Sequence, residues 1–300
     1  MAYKAVGGQA VIEGVMMQSD KKRAVAVRKA DGRIDVKAKN IKSWVKDKHI
    51  DKVPFLRGMF ILIETMIEGM KYLNYSSSAF MEDIGEEEEE DAIDRFIKKI
   101  FGDKANDALI VVSMIIAVIM SVGLFILIPT FVADLFGRLT VNHVILNLVE
   151  GVTRILVLLT YMILISKNSD IKRVYQYHGA EHKSIHCYES GEELTVENAR
   201  KHTRLHPRCG TNFLFLVMIV SIIVLAFLGW PNPIMRIVTR IVCIPLVAGV
   251  AYEVIRLLGK YDNVVTRAVA YPGMMLQYIT TREPDDGQLE VAIESIKAVI

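Results

Sequence analysis

Long stretches of uncharged, apolar residues divide the chain and predict helices that cross a membrane. Residues 108–133 and 213–230 carry no charged side chain, and a helix of either length can span about 30 Å of hydrocarbon. Two further runs, 141–165 and 234–258, are similarly apolar but contain acidic and basic residues. The pattern therefore predicts four transmembrane helices, two within residues 105–165 and two within 211–258.

The N-terminal part of the chain shows different patterns. Residues 1–53 contain two alternating apolar runs around the pair Asp31–Gly32, which is typical of a β-hairpin. Residues 54–80 are apolar but interrupted by charges at helical spacing, which favours an amphipathic or re-entrant helix at the membrane; a buried core helix is the alternative. The acidic run 86–91 indicates that residues 81–104 form a solvated or disordered linker.

The remaining segments complete the predicted architecture. Residues 166–210 form a polar loop rich in histidine, and Asp285 with Gln288 resembles the capping box of a helix within residues 259–300. We therefore expect a mainly α fold. It combines a four-helix transmembrane bundle with a cytoplasmic α+β part built from the N-terminal segment, the central loop and the C-terminal tail.

Composition and charge agree with a membrane location. Hydrophobic residues make up 52% of the chain, and the mean hydropathy is positive. Lysine and arginine are dense before residue 104, within 167–208 and after residue 256. The positive-inside rule thus places both termini and the central loop in the cytoplasm. In that reducing compartment, Cys187 and Cys209 are predicted to be thiols or metal ligands rather than a disulfide.

The central loop holds a concentration of histidines. Five of the seven histidines lie between residues 178 and 206. His178, His182 and His186 recur every four residues, so on a helix they would share one face. His178 and His186 would be about 12 Å apart along the axis, too far to bind one ion. A single metal would therefore take His178 with His182, or His182 with His186.

A catalytic pattern overlaps this stripe. His178-Gly-Ala-Glu181-His182 matches HxxEH, in which two histidines bind zinc and the glutamate activates water. His202, His206 and Cys209 follow as a second group around Pro207. Imidazole with thiolate suits a divalent metal such as zinc, whereas a carboxylate ligand would widen the choice to iron or manganese. The alternative is a wet loop of polar side chains beside a basic surface.

Other acidic residues lie where they could contribute to such a site. Glu13, before Gly14, is a possible third ligand or base, or simply a partly buried carboxylate at a turn. Glu253 lies at the distance downstream of the HxxEH pattern at which inverted zinc proteases carry a third ligand, but it could instead pair with an arginine. In the second span, Glu150 and Arg154 are one turn apart, which predicts an intramembrane ion pair or a polar path.

Five longer motifs carry a family resemblance. They are GGQAVIEGVMM at 7–17, PFLRG at 54–58, YHGAEHK at 177–183, HPRCG at 206–210 and TTREPDD at 280–286. The chain resembles a bacterial family of uncharacterised, predicted metal-dependent multi-pass membrane enzymes. The resemblance implies a metal, an enzymatic activity and a bacterial inner-membrane location, and it names no substrate.

Two main functional hypotheses follow. The first is a membrane hydrolase in which zinc or another divalent metal, with Glu181 as proton shuttle, acts on a membrane peptide or a lipid. The second is a non-enzymatic scaffold for membrane-protein biogenesis, whose basic segments dock the lipid bilayer, a ribosome or a translocon. Its metal would be structural, with four ligands such as His182, His186, His206 and Cys209. Transport through a path of Glu150, Arg154 and Glu253 is a third possibility. No particular oligomeric state is predicted.

Overall fold

Four short strands near the N-terminus form an antiparallel meander in the order β1-β2-β3-β4. The strands are β1 Gly7–Val11, β2 Gly14–Gln18, β3 Lys22–Arg28 and β4 Ile34–Asn40. The structure, a computed structural model, describes residues 6–84, 105–229, 232–261 and 263–300. The predicted hairpin is present between β3 and β4, where Gly32 adopts the positive φ of 86° that its turn requires.

The rest of the described chain is mainly helical. In chain order the helices are α1 Trp44–Asp47, a 3₁₀ turn Ile50–Lys52, α2 Leu56–Ile84, α3 Ala105–Val122, α4 Ile128–Phe136, α5 His143–Ile165, α6 Ser169–Glu189, α7 Val196–Lys201, α8 Gly210–Ala226, α9 Pro233–Lys260, α10 Val264–Thr280 and α11 Asp286–Lys297. The π-helical stretch Gly123–Leu127 joins α3 to α4. Helix α2 continues to Ile84, so the predicted linker does not begin at residue 81; residues 85–104 of that linker lie outside the described residues.

Among the described residues, three helices are long and apolar enough to cross a membrane. They are Ile115–Phe136, His143–Ile165 and Pro233–Leu258. The fourth predicted span, 213–230, lies on the shorter apolar helix α8, which has 17 residues and ends at Ala226. Gly229 and the prolines at 231 and 233 follow directly, and these residue types do not continue a helix. The prediction of a four-helix transmembrane bundle is therefore supported for three of its helices.

The described residues fall into two compact units. The first unit consists of the described residues within Met1–Ile84, Tyr161–Val220 and Ile244–Ile300. The second unit consists of the described residues within Gly85–Thr160 and Ser221–Cys243. The first unit contains the sheet and the histidine-rich segment. The second contains most of the apolar helical residues.

The sheet of the first unit is covered on both faces. One face, which includes Val15 and Met17, packs in a buried cluster with residues of α6 and α11. The other face, which includes Met16 and Val25, packs with Tyr72 and Tyr75 of α2, and its four buried residues are Val11, Met16, Val25 and Val27. Because neighbouring residues of a strand face opposite ways, β2 is buried along almost its whole length. This packing fixes β1 against α6.

A buried ionic cluster holds helices of the second unit together. Arg154 donates to Glu150 at 2.7 Å, as its one-turn spacing suggests. Arg240 donates to the same carboxylate at 2.8 and 3.1 Å and to Asn147 at 2.7 Å. Glu150 therefore compensates two arginines in a segment where an uncompensated charge would be costly.

Candidate metal centre

Helix α6 carries the histidine stripe. The helix begins after Asn168, whose side chain accepts the backbone N–H groups of Asp170 and Ile171, and it runs unbroken through Gly179 to Glu189. His178, Glu181, His182 and His186 all lie on this helix. The segment from Tyr177 to Cys187 is mostly buried, so the stripe faces the interior of the unit.

Three potential ligands from two segments meet beside this helix. Cys209, which precedes α8, places its Sγ 3.2 Å from Nε2 of His178. One ligand atom from each of His178, His182 and Cys209 lies within 4.8 Å of the other two. Ligand atoms around a tetrahedral zinc are about 3.5 Å apart, given bonds of about 2.0–2.3 Å. This first cluster therefore has donor types that bind zinc, and its closest pair of donor atoms, 3.2 Å apart, lies near that separation.

Hydrogen bonds orient both histidines toward that common point. Nδ1 of His178 lies 2.9 Å from the carbonyl oxygen of Thr280, and Nδ1 of His182 lies 2.5 Å from that of Arg204. A carbonyl oxygen can only accept, so each Nδ1 donates its proton and each Nε2 keeps a free lone pair. Metal-binding histidines are typically held in this way by a second group.

The electrostatics of the first cluster favour the protonation states of metal ligands. Burial lowers the pKa of His182 and outweighs its interaction with Cys209, which raises that pKa. Burial raises the pKa of Cys209, but the neighbouring His182 and the hydrogen bonds with Thr211 leave the pKa below that of an ordinary thiol. Neutral imidazole and thiolate are the forms that bind metals.

Glu181 lies beside the cluster without belonging to it. Its carboxylate is buried and interacts with the backbone N–H of Gly8, and burial raises its pKa to about 8. A Cβ at Gly8 would lie 3.0 Å from the Glu181 carboxyl carbon and 2.7 Å from the carbonyl oxygen of Met16. The glycine is therefore needed for β1 to approach this close to the helix.

The first cluster opens into a pocket of about 680 Å³. The pocket has a size typical of ligand sites. Its lining includes His178, Glu181, His182 and Cys209 together with residues 6–10 from β1 and the segment before it. A molecule in the pocket could reach the cluster and Glu181 at once.

A second cluster lies one turn further along α6. It consists of His186, Glu189 and His206, with Nε2 of His206 3.6 Å from a Glu189 oxygen. Glu189 also forms an ion pair with Arg208, which competes for its charge. The four ligands proposed for a structural zinc are thus divided, since His182 and Cys209 belong to the first cluster and His186 and His206 to the second.

The other proposed site residues have different partners. His202 lies near Cys187 and Glu192, with Nε2 3.4 Å from the Glu192 carboxylate. Glu13 forms an ion pair with Arg173 and accepts a hydrogen bond from Tyr177 at 3.1 Å. Glu253 forms an ion pair with Arg57, whose Nε lies 2.7 Å away. The structure brings neither glutamate into the two clusters, and the third potential ligand of His178 and His182 is Cys209.

The C-terminal segment 280–284 supports the site from the other side of α6. It crosses α6 at Gly179, where the backbone N–H of Arg282 donates to the carbonyl oxygen of Tyr175 at 2.8 Å. Further along, Glu283 pairs with the buried Lys183 at 2.8 Å. A glycine in the middle of a buried helix was the available signal, because it often marks a close approach of another backbone.

We expect Gly179→Ala to destabilise the first unit. A Cβ at residue 179 would lie 2.0 Å from the carbonyl oxygen of Arg282, so segment 280–284 would have to move away. The Thr280 carbonyl, which orients His178, would move with it. Overpacking of this kind costs about 1–3 kcal/mol, more than the gain in helix propensity of about 1 kcal/mol. Thermal unfolding in detergent measures the effect. Gly210→Ala, where an added Cβ meets open space, is the control; equal melting temperatures would refute the explanation.

The fold and the clusters together define a mainly helical protein that has helices apolar enough to cross a membrane and a histidine–cysteine centre beside a small sheet. The chain belongs to the family described as "Protein of unknown function (DUF1385)", which matches residues 53–300. It is also 37% identical over 297 residues to the "Uncharacterized protein YqhQ" of Bacillus subtilis (strain 168), covering 99% of this chain and 92% of that protein. No solved structure matches the chain. The predicted relation to an uncharacterised family is thus confirmed, and its metal-dependent enzymatic character stays a prediction.

Proposed function

We propose that this protein is an integral membrane hydrolase that depends on a divalent metal, with zinc as the best-suited ion. His178, His182 and Cys209 would hold the ion. The observation that carries the proposal is that two backbone carbonyls accept from Nδ1 of both histidines, that Nε2 of His178 lies 3.2 Å from Sγ of Cys209, and that all three residues line one open pocket. Three protein ligands next to a pocket are typical of catalytic zinc sites, whereas structural sites have four.

Glu181 is the proposed general base and acid. An ion in the first cluster would supply Lewis-acid chemistry, by polarising a carbonyl or phosphoryl oxygen and making water a better nucleophile. Glu181 lies in the same pocket and outside the ligand set. In its ionised form it would accept a proton as water attacks the substrate and return that proton to the leaving amine or alcohol.

The proposed location is the cell membrane, with the site on the cytoplasmic side. Among the described residues three helices are long enough to cross a membrane, and the shorter apolar helix α8 would make the fourth crossing that both termini on one side require. The segments rich in lysine and arginine include the N-terminal part, residues 167–208 and the C-terminal tail. With both termini and the central loop in the cytoplasm, Cys209 would stay reduced. A site next to membrane helices favours a membrane peptide or a lipid as substrate.

The activity should depend on the metal and on the first cluster. We expect the detergent-purified protein to hydrolyse either a degenerate pool of short peptides or phospholipid vesicles. A chelator should abolish this turnover, and added zinc should restore it. His182→Ala should stay inactive after zinc addition, whereas His143→Ala, which changes an exposed histidine of the second unit, should behave like the wild type. Turnover that resists the chelator, or an active His182→Ala variant, would refute the proposal.

A further inference from the structure

Strand β1 is an outer strand of the sheet, and the hydrogen bonds of the neighbouring strand β2 define the direction of its backbone groups. In β2 and its flanking residues, Ser19 donates to Lys22 and Glu13 accepts from Arg28, so the odd-numbered residues of β2 bond to β3. Hydrogen-bonded and non-bonded pairs alternate along an antiparallel ladder. The even-numbered residues Gly14, Met16 and Gln18 therefore bond to β1.

Their partners in β1 are Val11, Gln9 and Gly7. The intervening residues, Gly8 and Ala10, consequently direct their N–H and C=O groups away from the sheet. Among the described residues, β1 pairs with β2 and with no other strand. An outer strand with such groups is a template for another extended backbone.

This edge and the first cluster share one pocket. Residues 6–10 line it together with His178, Glu181 and Cys209. Gly7 and Gly8 are exposed, and the backbone N–H of Gly8 interacts with Glu181. The lining also includes Met16 and Thr65. Met16 faces α2, whereas the histidines lie on α6, so the pocket extends around the edge of β1 rather than ending at one face of the sheet.

We infer that the substrate of this centre is an extended peptide that adds to the sheet as a strand beside β1. The inference rests on the proposed function and names its substrate class. Ala10 and the C=O of Gly8 would supply main-chain hydrogen bonds, which recognise a peptide of almost any sequence. The absence of side chains at Gly7 and Gly8 lets a second backbone come close. A lipid lacks the repeating N–H and C=O groups that match such an edge.

The reaction is hydrolysis of a peptide bond. Water forms a C–O bond to the carbonyl carbon and gives one proton to Glu181. The C–N bond then breaks, and that proton passes to the leaving nitrogen. The immediate products are a carboxylic acid and an amine, and transfer of the acid proton to the amine gives carboxylate and ammonium, so water is the only co-reactant.

Ala10→Pro tests the edge directly, because proline removes the outward N–H of residue 10 and is tolerated on outer strands. Ala38→Pro in β4 is the matched control. Ile41 donates to Lys21 and Lys29 donates to Arg33, so in the β3–β4 register the odd-numbered residues of β4 bond to β3. The N–H of Ala38 therefore points outward, as that of Ala10 does on the opposite edge. We expect Ala10→Pro to lower kcat/KM for the degenerate peptide pool by roughly tenfold, equivalent to one lost main-chain hydrogen bond. Its melting temperature and metal content should stay unchanged, and Ala38→Pro should match the wild type.

Deuterium exchange covers the case in which Ala10→Pro does not fold. In Glu181→Gln protein, which should bind peptides without cleaving them, the pool should slow amide exchange in Gly7–Val11 and leave Ile34–Asn40 unchanged. Equal kcat/KM for the two proline variants, or unchanged exchange in Gly7–Val11, would overturn the inference. Hydrolysis of phospholipid vesicles but not of peptides would also overturn it while leaving the proposed hydrolase intact. No hydrolysis of either substrate by metal-loaded protein would refute both.

Discussion

Replacing Glu181 by Gln will lower the rate of hydrolysis by about 10²–10⁴-fold, the usual contribution of a general acid–base group. The amide has the shape of the carboxylate but cannot carry the proton. Glu181 lies outside the group formed by His178, His182 and Cys209, so the metal content should not change. Initial rates with the peptide pool and elemental analysis of the same preparation test both parts of this prediction.

Glu197→Gln provides the control for this substitution. Glu197 is an exposed acid of α7 whose partner is the exposed Lys201, and its loss should not alter the rate. A Glu181→Gln protein that retains the wild-type rate would exclude Glu181 as the base. A variant that loses its metal as well as its activity would instead identify Glu181 as a ligand.

The second large effect concerns the ionic cluster of the second unit. Glu150→Gln should destabilise the protein by about 3–5 kcal/mol, because it leaves Arg154 and Arg240 buried without a compensating carboxylate. For a chain of this size, the melting temperature in detergent should fall by roughly 10 °C. Thermal unfolding followed by circular dichroism measures this change.

A double variant separates the charge effect from the loss of shape. Combining Glu150→Gln with Arg240→Gln removes the excess positive charge, so part of the lost stability should return. The free energies of unfolding of the two single variants and the double variant are compared. If the losses of stability of Glu150→Gln and Arg240→Gln simply add in the double variant, the two residues are energetically independent. That result would contradict the ionic explanation.

Local spacing in the sequence predicted the elements of the site that depend on one helix. The four-residue repeat predicted that His178, His182 and His186 share one face of a helix. Because two helical turns separate His178 from His186, it also predicted that these two do not bind the same ion. The structure agrees, since His178 and His186 lie in different clusters. The N-terminal hairpin and three of the four apolar helices were predictable for the same reason, because their patterns repeat over short distances.

Partners from distant segments could not be predicted in this way. The repeat shows which residues share a face but not which segment covers that face. The spacing therefore did not select Cys209 as the partner of His178 and His182. It also did not select Arg240 as the second partner of Glu150, or Arg57 as the partner of Glu253. The crossing of residues 280–284 over Gly179 depends on the packing of the whole first unit.

The metal content of the detergent-purified protein, measured by elemental mass spectrometry after purification without chelators, decides whether the protein has a zinc centre. We expect near-stoichiometric zinc in the wild type and in His143→Ala, and loss of that zinc in His178→Ala and Cys209→Ser. A wild-type protein without metal, or a Cys209→Ser variant that keeps the full amount, would contradict a metal centre at His178, His182 and Cys209.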